Sequence, residues 1–139
     1  MRRVLPGALL GLACAGAFAQ PLFESNSAGL GTGSMDISVR EVERRPRASV
    51  LAVEMRKIAS SVGSSFFVLC SVRKLAKLRG DFHVVAKLED TPRRGQMLIG
   101  FLGSADEPPA SADPAFGAPG AKVQLIELDQ FGAICDPMM

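Results

Sequence analysis

The chain has 139 residues and a formal net charge of +2, with 16 Lys and Arg residues against 14 Asp and Glu residues. This length suits one domain with a modest core. Trp and Tyr are absent, and the Phe residues lie in apolar runs rather than among basic residues. The composition therefore argues against nucleic acid as a partner, because basic patches that bind nucleic acid usually include exposed aromatic side chains.

The N-terminal segment predicts an export signal. Arg2 and Arg3 precede an apolar stretch at residues 4–18, which is shorter than the roughly 20 apolar residues of a membrane-spanning helix. The Ala-Phe-Ala motif at 17–19 places small residues where signal peptidase requires them. We therefore expect residues 1–19 to be removed near Ala19 and the protein to be periplasmic or secreted.

Cys14 supports an alternative, a lipid-anchored envelope protein acylated at this cysteine. The cysteine follows a small residue, as in bacterial lipoprotein signals, but Leu12 lies one position closer to it than that pattern requires. The sequence therefore favours the soluble exported form. Membrane contact is expected only if Cys14 is lipidated.

Removal of the signal leaves two cysteines, Cys70 and Cys135. In an oxidising compartment a single pair favours one disulfide, and the alternative is two free buried thiols. A bond between positions so far apart would contribute about 4 kcal/mol by restricting the unfolded chain. The spacing differs from the Cys-x-x-Cys arrangement of redox-active pairs.

The first part of the mature chain predicts a lead-in, a strand and a helix. Residues 20–34 are rich in Gly, Ser and Asn, which indicates a flexible lead-in to a single domain at residues 35–139. Alternating apolar residues predict a strand over 35–42, followed by a turn at Pro46. A helix is expected from Ser49 to about Val62, ended by Gly63, because one helical face would carry Leu51, Met55, Ile58 and Val62.

The second part predicts a sheet. The run FFVLCSV at 66–72 favours a central strand, and RKLAKLR at 73–79 either continues it or forms a basic amphipathic helical turn before a hairpin at Arg79-Gly80. Further strands are expected at 82–89, 96–103 and 122–131. On the strand at 82–89, Val84, Ala86 and Leu88 should face inward, with His83, Val85 and Lys87 outward.

Residues 103–121 are rich in Pro, Ala, Gly and Asp and predict a mobile surface loop or a partner-facing arm. Together these elements predict an α+β fold. One amphipathic helix packs on a mainly antiparallel sheet of about five strands, as a two-layer sandwich.

The segment MRKIASSVGSSFFVL, residues 55–69, resembles a helix-to-strand unit of small exported bacterial proteins of unknown function. The likeness rests on Arg56, Ala59, Gly63, Phe66 and Phe67. It implies a helix followed by a strand and a bacterial envelope setting. It implies no activity and no catalytic residue.

Charges are separated along the chain. Residues 40–94 contain 13 Lys and Arg residues against six acidic ones, whereas residues 103–139 contain six acidic residues and a single base, Lys122. The favoured interpretation is that the two blocks neutralise each other in the fold. The alternative is a basic face for an anionic envelope component, formed by Arg73, Lys74, Lys77 and Arg79.

Few residues support catalysis. His83 is the only histidine, and with both cysteines paired the sequence offers no hydrolytic triad, metal set or cofactor site. Glu127 and Asp129, expected on one strand face, are the candidate pair for a carboxylate-dependent hydrolase, the least favoured alternative. The sequence therefore predicts an exported, non-enzymatic binding or structural protein of the cell envelope, whose partner is an anionic envelope component or another envelope protein.

Overall fold

The computed structural model describes residues 22–30, 35–58 and 60–138. The predicted signal peptide and Cys14 lie outside the described residues. The described part of the chain forms six strands and two α-helices: β1 Glu24–Asn26, β2 Asp36–Arg45, β3 Ala48–Lys57, α1 Ser61–Gly80, β4 Val84–Glu89, β5 Gln96–Leu102, β6 Gln124–Glu127 and α2 Gly132–Met138.

The six strands form one sheet in the order β1-β2-β3-β5-β4-β6, and each neighbouring pair is antiparallel. Helix α1 connects β3 to β4 and packs on one face of the sheet. The buried side chains on that face include Leu51, Phe67, Leu75 and Phe101. The predicted α+β class, with a main helix on an antiparallel sheet, is confirmed.

The helix predicted from Ser49 to Val62 is wrong, because this segment contains β3. The residues from Ala48 to Leu51 are buried on both faces of the sheet, so apolar residues follow one another and imitate a helical period. Of the four residues expected on the buried helix face, Leu51 is buried in β3, and the other three have exposed fractions of 44% for Met55, 53% for Ile58 and 63% for Val62.

The strand predicted at 66–72 and the hairpin at Arg79-Gly80 are also wrong, because both lie in α1. The Ser60 side chain accepts a hydrogen bond from the Gly63 backbone N–H at 2.9 Å, which caps the start of the helix. Two serines on its buried side, Ser64 and Ser71, interrupt the apolar pattern. The helical alternative for residues 73–79 is therefore the correct one.

The same finding corrects the order of elements implied by the resemblance over residues 55–69. This segment runs from the end of β3 into α1, so a strand precedes the helix rather than following it. Gly63, predicted to end a helix, lies in the first turn of α1.

Part of the predicted flexible lead-in belongs to the fold. Strand β1 pairs with β2, and the side chain of Phe23 is buried in the core on the α1 side of the sheet. The backbone N–H of Phe23 donates to Glu41 Oε1 at 3.0 Å, and the N–H of Glu41 donates to the Phe23 carbonyl at 2.8 Å. The ordered domain thus begins before the predicted boundary at residue 35.

Residues 103–121 pack on the second face of the sheet instead of forming a mobile excursion. They contain two short 3-10 helices, Pro109–Ser111 and Pro114–Gly117, and the side chain of Phe116 is buried. A second core cluster contains Phe116 together with Val50, Val84, Ala86, Leu98 and Leu102. Because both faces of the sheet are covered, Val85, predicted to point outward, is buried on the α1 side.

Candidate functional site

A groove lies between α1 and the end of the sheet at which β4 turns into β5. Its volume is about 410 Å³, within the range of roughly 300 to 1,000 Å³ that is typical of small-molecule sites. The residues lining it come from α1, from the four strands β3 to β6 and from the β4–β5 turn: Val53, Met55, Ser65, Val68, Leu69, Val72, Lys87, Glu89, Asp90, Gly95, Gln96, Met97 and Ile126.

One wall of the groove is apolar because of the spacing of residues on α1. Val68, Leu69 and Val72 line it, and steps of three and four residues place them on one side of a helix. The floor comes from alternate residues of the strands, such as Met97, because alternate strand residues point to the same face. The sequence prediction missed this site because it assigned residues 66–72 to a strand.

The other wall carries charge. Lys87 lies within the groove with its side chain 21% exposed, and its Nζ is 3.6 Å from Glu89 Oε1. Asp90 Oδ1 accepts a hydrogen bond from the Gly95 backbone N–H at 2.9 Å, which closes the β4–β5 turn. Both acidic side chains of the groove are therefore engaged by groups of the chain itself.

A second hollow of about 710 Å³ lies beside residues 115–122, on the other face of the sheet, and it shares Glu89 and Asp90 with the groove. Most of its lining residues are exposed, for example Pro119 and Lys122. A molecule there would remain largely in contact with water. The groove under α1 is therefore the better defined site.

The predicted basic face does not form as a set of four. Arg79 has a side chain only 9% exposed. Its guanidinium donates to Ser49 Oγ at 2.6 Å and to the carbonyls of Arg45 and Ala48 at 2.7 and 3.0 Å. Arg79 therefore anchors the β2–β3 hairpin to the end of α1 and is not available to an anionic partner.

The other three residues of that set differ in their surroundings. Arg73 Nη1 donates to Asp136 Oδ1 at 2.8 Å, with the Arg73 side chain only 15% exposed. Lys74 and Lys77 are exposed on α1. The hydrogen bond from Arg73, together with its charge and to a smaller extent that of Lys77, holds the pKa of Asp136 below its ordinary value.

A buried carboxylate supports Arg79 from the sheet. Glu41 accepts hydrogen bonds from Ser49 Oγ at 2.5 Å and from Arg44 at 2.6 Å, and Arg79 Nη1 lies 3.7 Å from it. Burial alone would raise the pKa of Glu41, but the hydrogen bonds from Arg44, Ser49 and Phe23 bring it below its ordinary value. This carboxyl group is structural and lies outside the groove.

The two oppositely charged blocks of the sequence pair with each other, as the favoured interpretation predicted. Arg45 Nη1 lies 3.2 Å from Asp113, and Arg47 forms two hydrogen bonds to Glu107, at 2.6 and 2.8 Å. Both acidic residues belong to 103–121, so these pairs hold that segment on the sheet. Arg73 and Asp136 form a third such pair.

The predicted disulfide between Cys70 and Cys135 is confirmed. It joins α1 to α2 across 65 positions of sequence, with the two Cα atoms 5.2 Å apart. Both residues are buried. The bond fixes the C-terminal helix against α1, and Cys70 is not among the α1 residues that line the groove.

The residues considered for catalysis lie elsewhere. His83 is exposed as predicted, and its Nδ1 is 2.8 Å from Asp129 Oδ1; this hydrogen bond raises the pKa of His83. The prediction that Glu127 and Asp129 share a strand face is wrong, because β6 ends at Glu127 and Asp129 lies in the 3-10 helix Leu128–Phe131. In the described ranges, no three His, Cys, Asp or Glu side chains are grouped so that they could hold a metal ion.

No helix in the described part of the chain is both long and apolar enough to cross a membrane. Comparison of the chain with protein-family models, curated proteins and solved structures finds no match.

Proposed function

We propose that the protein is exported and acts outside the cytoplasm as a non-enzymatic binding protein, with the groove under α1 as its ligand site. The observation that supports a location outside the cytoplasm is the Cys70–Cys135 disulfide, because such bonds persist in oxidising compartments and are rare in the cytosol. The apolar stretch at 4–18 with its Ala-Phe-Ala motif supports the same conclusion.

The groove supports binding because its apolar wall and its charged wall face the same space. An apolar surface with a few polar groups is the usual composition of a small-molecule site. The titratable side chains lining the groove are Lys87, Glu89 and Asp90, and these can orient a ligand. His83, whose pKa is raised, is not among the lining residues.

Intact mass spectrometry of the native protein from fractionated cells tests the compartment. We expect a periplasmic or secreted chain that begins at Gln20, with the mass of two hydrogens missing because of the disulfide. A mass that includes acyl chains on Cys14 would select the lipid-anchored alternative. Recovery of the full-length chain from the cytosol, with both remaining thiols open to alkylation, would overturn the proposal.

Native mass spectrometry after incubation with an extract of envelope small molecules tests the groove. We expect the wild-type protein to retain a small molecule and Val68→Phe, which fills the groove, to lose it. Leu78→Phe is the matched control, because Leu78 lies on α1 outside the groove and is exposed. Equal retention by both variants, or no retention by the wild type, would reject the groove as a binding site.

A further inference from the structure

We propose that the ligand of the groove is a single-chain anionic amphiphile, a molecule with one acyl chain and a negatively charged head. This inference rests on the proposed binding function and specifies its ligand class. It follows from three features of the described residues: an apolar wall that continues outside the groove, two exposed arginines in the turn that leads into it, and a recessed floor.

The apolar surface extends beyond the groove. Val62 precedes Ser65 and Leu69 on the same side of α1, and these two residues line the groove. Val62 is exposed, and so is Met55, which lies on the opposite wall. An acyl chain that fills the groove would therefore still contact apolar side chains at the point where the acyl chain leaves the groove. The flexible side chains of Met55 and Met97 suit a ligand of variable shape.

Two arginines of the β4–β5 turn, next to the groove in sequence, favour a negative head group. Arg93 and Arg94 lie in the β4–β5 turn directly before Gly95, which lines the groove, and both are exposed. Neither side chain has a hydrogen bond or an ion pair with another described residue. In contrast, Glu89 faces Lys87 and Asp90 binds the Gly95 N–H. Lys87, Arg93 and Arg94 therefore outnumber Glu89 and Asp90 by one positive charge at this end of the groove.

The depth of the groove favours a free molecule over a membrane surface. Val72 and Met97, which line it, are only 2% and 9% exposed. A single chain that enters between α1 and the sheet can reach these side chains, whereas the flat surface of a bilayer cannot. We therefore commit to a monomeric amphiphile in solution, such as a fatty acid.

The absence of Trp and Tyr from the chain allows a sharp experiment. Val62→Trp introduces one fluorescent reporter at an exposed position beside the groove, and calorimetry on the wild-type protein checks that the reporter does not create the site. Three probes with the same twelve-carbon chain are compared below their critical micelle concentrations: dodecanoate, dodecyltrimethylammonium and dodecyl maltoside. We expect saturable one-to-one binding that is tightest for dodecanoate.

Charge variants then test the head-group site. Replacing Arg93 and Arg94 together by Gln should weaken dodecanoate binding about fivefold at low salt, because each exposed charge contributes modestly, and should leave dodecyl maltoside unchanged. The matched control replaces Lys74 and Lys77 by Gln. It removes the same charge from α1 outside the groove, and we expect it to have no effect on either probe.

The outcomes separate this inference from the function on which it rests. Equal affinity for all three probes, abolished by Val68→Phe, would keep the binding groove and reject the anionic ligand. No binding of any probe, together with no retention from the envelope extract, would reject both. If the protein sedimented with phosphatidylglycerol vesicles but bound no dodecanoate, the monomeric ligand would be rejected in favour of a membrane surface.

Discussion

The ring of Phe116 occupies the space that a side chain on Gly100 would need. A Cβ atom built on Gly100 would lie 2.5 Å from Cε2 and 3.0 Å from Cζ of Phe116. Gly100 lies in β5 between Ala48 of β3 and Ala86 of β4, which are its partners in the two neighbouring strands. These three small residues form a socket on the sheet face opposite α1, and Phe116 anchors residues 103–121 in it.

This relationship predicts that Gly100→Ala and Phe116→Ala are coupled. Phe116→Ala should lower the free energy of unfolding by about 3 kcal/mol, because it removes a buried ring. Gly100→Ala should cost about 2 kcal/mol in the wild type, because the ring must move. With Phe116→Ala already present, Gly100→Ala should cost much less, because the close contact that remains is with the Cβ of Ala112 at 3.1 Å.

Urea unfolding of the two single variants and the double variant measures this coupling, with Leu125→Ala as a control at an exposed position on the sheet. Additive losses in the double variant would contradict the socket. They would mean that the cost of a side chain at Gly100 does not arise from the ring.

The contacts of Arg79 with the β2–β3 hairpin predict that its replacement lowers the stability of the fold. Arg79→Gln should lower the free energy of unfolding by about 2 kcal/mol, because it removes the guanidinium that donates to partly buried carbonyl groups of the β2–β3 hairpin. Lys77→Gln, two residues earlier on the exposed side of α1, should change it by less than about 0.5 kcal/mol. Chemical unfolding of both variants checks this. Equal, small effects would show that Arg79 does not anchor the hairpin.

Two errors of the sequence prediction, the helix assigned to the β3 segment and the mobile loop assigned to residues 103–121, have a common cause, the burial of the sheet on both faces. In β3 this burial places Val50 and Leu51 side by side in two separate cores, so the alternation that marks a half-exposed strand is lost. The covering layer on the second face comes from residues 103–121, whose composition indicates a loop. Only the tertiary structure shows that Phe116 docks there.

The helix α1 was missed for a different reason. Its buried face contains Ser64 and Ser71, and Ser71 Oγ donates to the Phe67 carbonyl at 2.9 Å within the helix. Polar residues satisfied in this way weaken the apolar period on which the prediction depended. Ser60 was the available signal, since serine is a favoured residue at the position just before a helix begins, where its side chain accepts a hydrogen bond from the first turn. Because α1 forms one wall of the groove, the groove could not be predicted without this helix.

The disulfide and the charge pairing were predictable because they depend on residue type more than on secondary structure. Two cysteines remain after the predicted cleavage, so their partner assignment does not require the correct elements around them. Separated blocks of opposite charge attract each other in any compact arrangement. The particular pairs, such as Arg47 with Glu107, needed the register of β2 and β3.

The Cys70–Cys135 bond predicts a large dependence of stability on redox state. Because the bond closes a loop with a sequence separation of 65, its loss should reduce the free energy of unfolding by about 4 kcal/mol. Urea unfolding with and without a thiol reductant measures this, and the double variant Cys70→Ser with Cys135→Ser should match the reduced wild type. An unchanged midpoint after reduction, with both thiols shown to be alkylated, would contradict the prediction.

The contact between Arg47 and Glu107 predicts a loss of stability in acid. Hydrogen bonds from Arg47, from Ser111 Oγ and from the Gly103 N–H hold the pKa of Glu107 far below its ordinary value of 4.5. Above that value the carboxyl group is ionised in the folded and the unfolded chain, and the contact contributes fully. Below it the unfolded chain takes up a proton that the folded chain does not, so the stability falls as the pH approaches the pKa of the folded state.

Unfolding by urea from neutral pH down to about pH 3 measures this effect. Glu107→Gln should lower the stability at neutral pH and should flatten its decline in acid, because the variant has no proton to take up at this position. Asp106→Asn is the control in the same segment; Asp106 is exposed and has no hydrogen bond or ion pair to another described residue. If Glu107→Gln and the wild type declined in parallel below the ordinary value of 4.5, Glu107 would not hold residues 103–121 on the sheet through its charge.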